Sequence, residues 1–304
     1  MLSTFYYDFN KIQIINYISI TLFSILIYEC FRKINDIKIE SLFLIFCVFY
    51  LILYSIIHPS GNGTILTLMG SPDTDFPGMI LFIISIYFYL LSFQNPKIKK
   101  YLLVVSTICF LTKLSYIASV LLILRYIQLD KKFFKNRLFI SVSFLILLWS
   151  IRNIIISGCA IYPLTLSCFN FLSWNNIEEV KLLNQILTSY ARDTGPRENF
   201  MDFEYTLYSF EWFMPWLKFY FLKNSLIQSI LILISINFTI FFIKKIKKQK
   251  INYPKNLNFV IFLLLISLII WMKALDTRYI LGVLVSLVSI LSILIFINLN
   301  FLQK

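Results

Sequence analysis

Residues 101–129, YLLVVSTICFLTKLSYIASVLLILRYIQL, sit between two basic stretches, NPKIKK (95–100) and DKKFFKNR (130–137). Basic loops mark the cytoplasmic side of a membrane protein. With both flanks basic, the chain between them has to enter and return on one side. Each arm then has about 12 residues, about 18 Å at the rise of an α-helix, which passes the midplane of a bilayer without crossing it. The apex falls at Thr112-Lys113-Leu114-Ser115. A single crossing here would reverse every later loop, so this stretch sets the sidedness of the whole chain.

Outward from it, seven apolar runs of 16 to 22 residues read as full spans: 12–31, 39–57, 78–93, 138–156, 224–243, 257–272 and 279–300. Runs of that length match a hydrocarbon core about 30 Å thick. They are continuously apolar, not alternating, which selects helices over outer-membrane strands. Hydrophobic residues make up 59% of the 304 and charged residues 14%. A soluble domain carries about a quarter charged residues.

The net charge of +13 does not point to nucleic acid, because the charges cluster between apolar runs. Arg32, Lys33 and Lys38; Lys97, Lys99 and Lys100; Arg125, Lys131, Lys132, Lys135 and Arg137; Lys244, Lys245, Lys247, Lys248, Lys250 and Lys255 form four such clusters. The segment 58–77 has no lysine or arginine and reads as outside. No cleavable signal peptide is expected, since no small-residue site follows the first apolar run. The expected architecture is all-α. It is a polytopic transmembrane helix bundle of about seven full spans plus one short helical hairpin, a single transmembrane domain over 1–304. One large outer-face loop region, 157–223, carries interfacial helices. Within it, Glu211–Tyr220 is too interrupted to span and reads as a helix at the headgroups, with Trp212 and Trp216 at that level.

Of the five cysteines, Cys30, Cys47 and Cys109 read as packing residues. Cys159 and Cys168 can pair if their loop faces an oxidising space, which the sequence alone does not require.

Candidate chemistry gathers on the outer side. The segment from His58 to Gly78 holds four of the seven glycines and ends in Asp73 and Asp75, just before a span. Asp-x-Asp can hold a divalent cation through oxygen ligands, Mg or Mn. One carboxylate can instead take a proton from an attacking hydroxyl. The plainer reading is that Ser71 or Asp75 caps the next helix. Lys113 is costly in lipid, by about 2.5–3.5 kcal/mol or more, so it faces an anion or polar cavity, or snorkels to headgroups. Arg152, Tyr162, Arg192 and Arg278 would face the same side. Arginine binds phosphate as a planar fork; as an alternative each is an interfacial anchor or a solvated charge. Carboxylates plus fixed cations at an outer membrane surface suit a polyprenyl-phosphate substrate.

Thr112-Lys113-Leu114-Ser115 within an apolar hairpin, Ser71-Pro72-Asp73 opening a span, Arg152-Asn153 with Ser157-Gly158 and Tyr162-Pro163, Tyr190-Ala191-Arg192, and Asp276-Thr277-Arg278-Tyr279 occur in this sequence. This set, over roughly residues 65–285, resembles a Leptospira-type family of bacterial polytopic membrane proteins found near envelope-polysaccharide genes. That family is in turn similar to GT-C glycosyltransferases. The resemblance implies a GT-C-like bundle in the bacterial cytoplasmic (inner) membrane. It implies sugar transfer from a polyprenyl-phosphate-linked donor in cell-envelope polysaccharide biosynthesis. Asp73 and Asp75 would be catalytic and tentative metal ligands; Lys113, Arg152, Tyr162, Arg192 and Arg278 would bind substrate phosphate. The expected partners are membrane lipid and a polyprenyl-phosphate-linked glycan. GT-C chains carry an early acidic loop, whereas this one has only Asp8 before its first run; the departure points to a truncated chain and a partner chain supplying the missing N-terminal part. An O-antigen or capsule polymerase, dependent on outer-loop arginines, and a flippase or transporter are the alternatives.

Overall fold

The computed structural model describes residues 38–57, 75–129, 137–192, 202–218, 224–247, 254–272 and 277–299, with scattered positions in 17–32 and at 249. Most of the expected first span, 12–31, Cys30 and Asp73 lie outside the described residues. Among the described residues the secondary structure is helical and no strand forms; Cys159 and Cys168 make one isolated bridge. The principal helices are α1 (Ile39–Ile57), α2 (Asp75–Leu91), α3 (Lys99–Thr112), α4 (Val120–Leu129), α5 (Arg137–Ser157), α6 (Ile177–Arg192), α7 (Ser225–Ile246), α8 (Lys255–Trp271) and α9 (Leu281–Asn298).

Three of them are long and apolar enough to cross a membrane: α5, α7 and α9, with mean hydropathies of 2.0, 2.3 and 2.6. Their surroundings differ. Only 6% of the apolar window of α5 and 17% of that of α7 is covered by protein, against 83% for α9. Side chains such as Phe144, Leu147, Ile155, Ile232, Phe238 and Phe242 stand more than half exposed. So much contiguous apolar surface on helices has no stable place in water. A bilayer satisfies it, because there every backbone group is already bonded within the helix. The chain is a helical membrane protein.

Contacts divide the chain into two compact units: 1–124 with 224–268 and 277–304, and 125–223 with 269–276. In the first, α9 is the central rod, packed against α7, α1 and α2, while α2 also packs along α3. Phe43, Leu44, Cys47, Ile80, Phe82, Ile83, Val283, Val285, Val288 and Ile290 are fully or almost fully buried. Cys47 and Cys109 are buried and outside any disulfide, in keeping with the packing role expected for them. The hydroxyls of Ser286, Ser289 and Ser292 donate to carbonyls four residues back, at 2.7, 2.8 and 2.9 Å. Such small residues let helices approach closely without leaving polar groups unmet.

The chain turns back after α3, and the 3-10 turn that follows packs on that helix. Ser119 Oγ donates to the Ser106 carbonyl at 3.1 Å, which puts the turn midway between them, at Thr112-Lys113. Lys113 is extended (φ −148°, ψ 120°), and a 3-10 turn, Leu114–Ser119, starts the return arm. The helix α2 begins at Asp75, three residues before the expected start of the span. Pro77 does not prevent this, since a first-turn residue needs no amide proton.

Close approach at the apex depends on a glycine. A Cβ on Gly78 would meet Tyr116 Cε2 at 3.0 Å and Lys113 Cβ at 3.2 Å. Tyr116 is fully buried with its ring stacked on Phe82, centroids 5.0 Å apart, so it cannot yield. Helix propensity favours alanine over glycine by about 1 kcal/mol, but overpacking costs about 1–3 kcal/mol. Gly78→Ala is therefore expected to lower the thermal unfolding temperature in detergent. An unchanged or raised temperature would mean that the apex moves freely.

In the second unit, α5 ends at Gly158, whose φ of +73° suits a glycine closing a helix. The chain then turns back: the Phe169 amide donates to Gly158 O at 2.9 Å and the Ala160 amide to Ser167 O at 2.9 Å. A disulfide joins Cys159 to Cys168, the pairing that an oxidising space permits. Closing so short a loop stabilises by about 2–3 kcal/mol. With Cys30, Cys47 and Cys109 replaced by Ser, alkylation of isolated membranes should find no thiol until a reductant is added; labelling without reductant would show the bridge absent.

The tryptophans expected at headgroup level are covered by protein. Trp212 and Trp216 are 6% and 4% exposed. They pack on Phe213 and on each other, and Trp216 also meets Trp271 at 5.8 Å. Only one α-turn, Phe213–Trp216, forms there. The aromatic stretch supplies a core for the unit.

Candidate functional site

Asp75 opens α2, where free amide protons and the helix dipole favour a negative group. The Asp75 carboxylate pairs with the Lys113 ammonium, and the two side chains are only 9% and 10% exposed. Lys113 comes from the hairpin apex. The Tyr279 ring lies under its ammonium, 4.7 Å to the centroid. Ser115 Oγ donates to the Tyr279 carbonyl at 2.9 Å, and the Gly282 amide donates to the Tyr116 hydroxyl at 3.3 Å. A Cβ on Gly282 would meet Met79 Cα and the Tyr116 hydroxyl, each at 3.2 Å. Three segments far apart in sequence, 75–79, 113–116 and 279–282, thus meet around one ion pair.

Between the two sequence readings of Lys113, the structure selects the anion over the headgroups. The ammonium does not snorkel; it is met inside the bundle by a carboxylate and an aromatic face. Burying both charges costs desolvation, which their attraction offsets only in close geometry. To hold a substrate phosphate, Lys113 would have to leave Asp75. The same pairing bears on a metal. A dication at Asp75 would sit beside a like charge, and no group of three His, Cys, Asp or Glu comes together among the described residues. Asp73, the other expected ligand, lies outside the described residues.

The second unit holds Arg152, Tyr162 and Arg192. Arg192 closes α6. Its Nη1 donates to the Thr206 carbonyl at 3.0 Å, and its guanidinium lies over the Trp212 ring, 4.7 Å to the centroid. Thr206 belongs to a π-turn, Glu204–Tyr208, and its buried hydroxyl bonds the Ser189 hydroxyl at 2.6 Å. The Nε of Arg192 is buried with no hydrogen-bond partner, and no carboxylate pairs with this arginine among the described residues. Desolvation pushes its pKa down; a bound anion would push it back up. The guanidinium is held over an aromatic face with one N–H unbonded. Arg152 is exposed on α5. Tyr162 is 39% exposed; desolvation, then the charge of Glu179, push its hydroxyl pKa up. Arg278 lies in a 3-10 turn, Thr277–Ile280, beside Tyr279. Its side chain, like Lys273 and Asp276, lies outside the described residues.

Sequence reasoning named Asp75, Lys113 and Arg192 but not what holds them. Tyr116 and Gly282 were missed at the first site and Ser189 and Thr206 at the second, while Tyr279 and Trp212 were named without these roles. The Asp-Phe-Pro-Gly string carried one usable signal. A glycine in the first turn of an apolar helix marks close approach of another chain segment.

The chain belongs to the family described as Domain of unknown function (DUF8201), whose model matches residues 2–285. No curated protein and no solved structure matches the chain.

Proposed function

We propose that this member of the family is a multi-pass glycosyltransferase of GT-C type in the bacterial inner membrane, with about seven spans and one short hairpin. On this reading it takes sugar from a polyprenyl-phosphate-linked donor in cell-envelope polysaccharide biosynthesis. The observation that carries it is the Asp75–Lys113 pair, a carboxylate and an ammonium held nine-tenths buried at the start of a membrane helix. Charges at such depth are costly, and in membrane proteins they mark functional sites. The lysine-free segment before Asp75 and the Cys159–Cys168 bridge both favour an outer-face site.

The chemistry follows from the pair. Asp75 accepts the proton of the acceptor hydroxyl as its oxygen bonds to the sugar's anomeric carbon. The bond from that carbon to the donor phosphate breaks, and the lipid phosphate leaves with the electron pair. Lys113, released as Asp75 takes the proton, faces the charge gathering on the phosphate. Membranes enriched in this chain, given a sugar-labelled polyprenyl-phosphate donor, should pass label to a lipid-linked or polymeric acceptor. Transfer no greater than in membranes lacking the chain, with a partner chain co-expressed as well as without, defeats the reading.

A second reading has its own observation. Arg192, held over Trp212 with an unpartnered Nε, suits an O-antigen or capsule polymerase that grips the phosphate of a lipid-linked glycan.

A further inference from the structure

Between Arg152 and Glu178 the sequence has twenty-five residues and no charged side chain. Most of them connect α5 to α6, where a water-facing loop would carry about one charge in four residues. The structure exposes apolar groups in this connection. Leu166 is 92% exposed, Phe171 81% and Trp174 55%. Singly such exposure is ordinary; here it continues a surface that is already apolar.

That surface is the end of α5. The last turns of α5 expose Ile155 and Ile156, each 66%. The Trp174 indole N–H donates to the Ile154 carbonyl at 3.2 Å, so Trp174 lies against this end. Phe171 meets Phe169, centroids 5.6 Å apart, and the Phe169 amide is bonded to the Gly158 carbonyl. The Cys159–Cys168 bridge and the Ser167 hydroxyl, which receives the Ile161 amide at 2.9 Å, hold the loop folded. Asn175 Nδ2 donates to the Phe169 carbonyl at 2.9 Å. Ser167 and Asn175 turn their polar groups inward onto the loop's own backbone, while Leu166, Phe171 and Trp174 turn out.

We infer that the connection 158–176 is a membrane-surface collar, its Leu166, Phe171 and Trp174 seated at the headgroup–acyl boundary of the leaflet where α5 ends. The occupant is lipid because the patch continues a helix of which only 6% of the apolar window is covered by protein. Trp is also the residue that favours this depth, with its ring in the acyl region and its N–H bonded. Arg152, exposed one turn before Ile156, lies deeper than the collar, and its long side chain reaches lipid phosphates by extending outward past it. This inference does not depend on glycosyl transfer; it depends on α5 spanning the bilayer.

Single cysteines at 166, 171 and 178, on a full-length chain in phosphatidylethanolamine–phosphatidylglycerol vesicles with Cys30, Cys47 and Cys109 replaced by Ser, carry a nitroxide label. Collision with oxygen should exceed collision with an aqueous nickel chelate at 166 and 171, and the order should reverse at 178. Chelate access at 166 and 171 equal to that at 178 overturns the collar. A fourth label at 148, inside α5, separates the two levels: if it too meets the chelate, the span itself is wrong. The labelled positions are exposed, and each variant is checked for wild-type thermal unfolding before labelling.

Discussion

Lys113→Ala is expected to destabilise the chain in detergent by about 3–5 kcal/mol, the cost of leaving one member of a buried ion pair alone. Asp75 would then sit uncompensated among Gly78, Tyr116 and the apex of the hairpin. Asp75→Asn should destabilise in the same way by stranding the ammonium. The double variant Asp75→Asn, Lys113→Gln removes both charges at nearly constant volume, so it should recover most of the loss, since neutral replacements of buried pairs are often tolerated. Thermal unfolding of the three variants measures this directly. Unfolding of Lys113→Ala at the wild-type temperature would show that the pair is not formed in the bundle. The double variant also separates structure from chemistry. If Asp75 takes the acceptor proton, the double variant folds and makes no glycan product. If the pair only holds the hairpin against α2, the product returns with the stability.

Arg192→Ala should cut glycan product by about ten- to a hundredfold if that arginine grips a phosphate. Hydrogen bonds to a charged group are worth about 1.5–3 kcal/mol, and each 1.4 kcal/mol is tenfold. Arg192→Lys should rescue little, because an ammonium neither lies flat on Trp212 nor presents a fork. Full product from Arg192→Lys would show that only the charge is used. Scoring Arg192→Ala beside the Asp75 variants separates the two functional readings. Loss confined to Asp75 favours the glycosyltransferase, loss confined to Arg192 favours the polymerase, and loss in neither defeats both sites.

Helices and their apolar character were legible in the sequence because hydropathy is local. A run such as Ser225–Ile246 has no other stable form in a bilayer, whatever its neighbours. The break between two helices at Lys113 falls where the basic flanks placed the apex. The partners of the site residues were not legible. Asp75 and Lys113 are nearly forty residues apart, and Tyr279 is more than a hundred and sixty beyond Lys113. Nothing in local pattern links them. The cover over Trp212 and Trp216 was not legible either: Trp216 packs on Trp271, more than fifty residues on.

The sequence by itself determined that this is a helical membrane chain, because the transfer of apolar residues between water and lipid is additive along the chain. Only the tertiary structure decided that Lys113 faces Asp75, that Arg192 lies on Trp212, and that α9 is the rod the first unit packs around. Those outcomes depend on distances between segments. Gly78 and Gly282 set the first of them by letting backbones approach within a side chain's width, and no one-dimensional pattern records that approach.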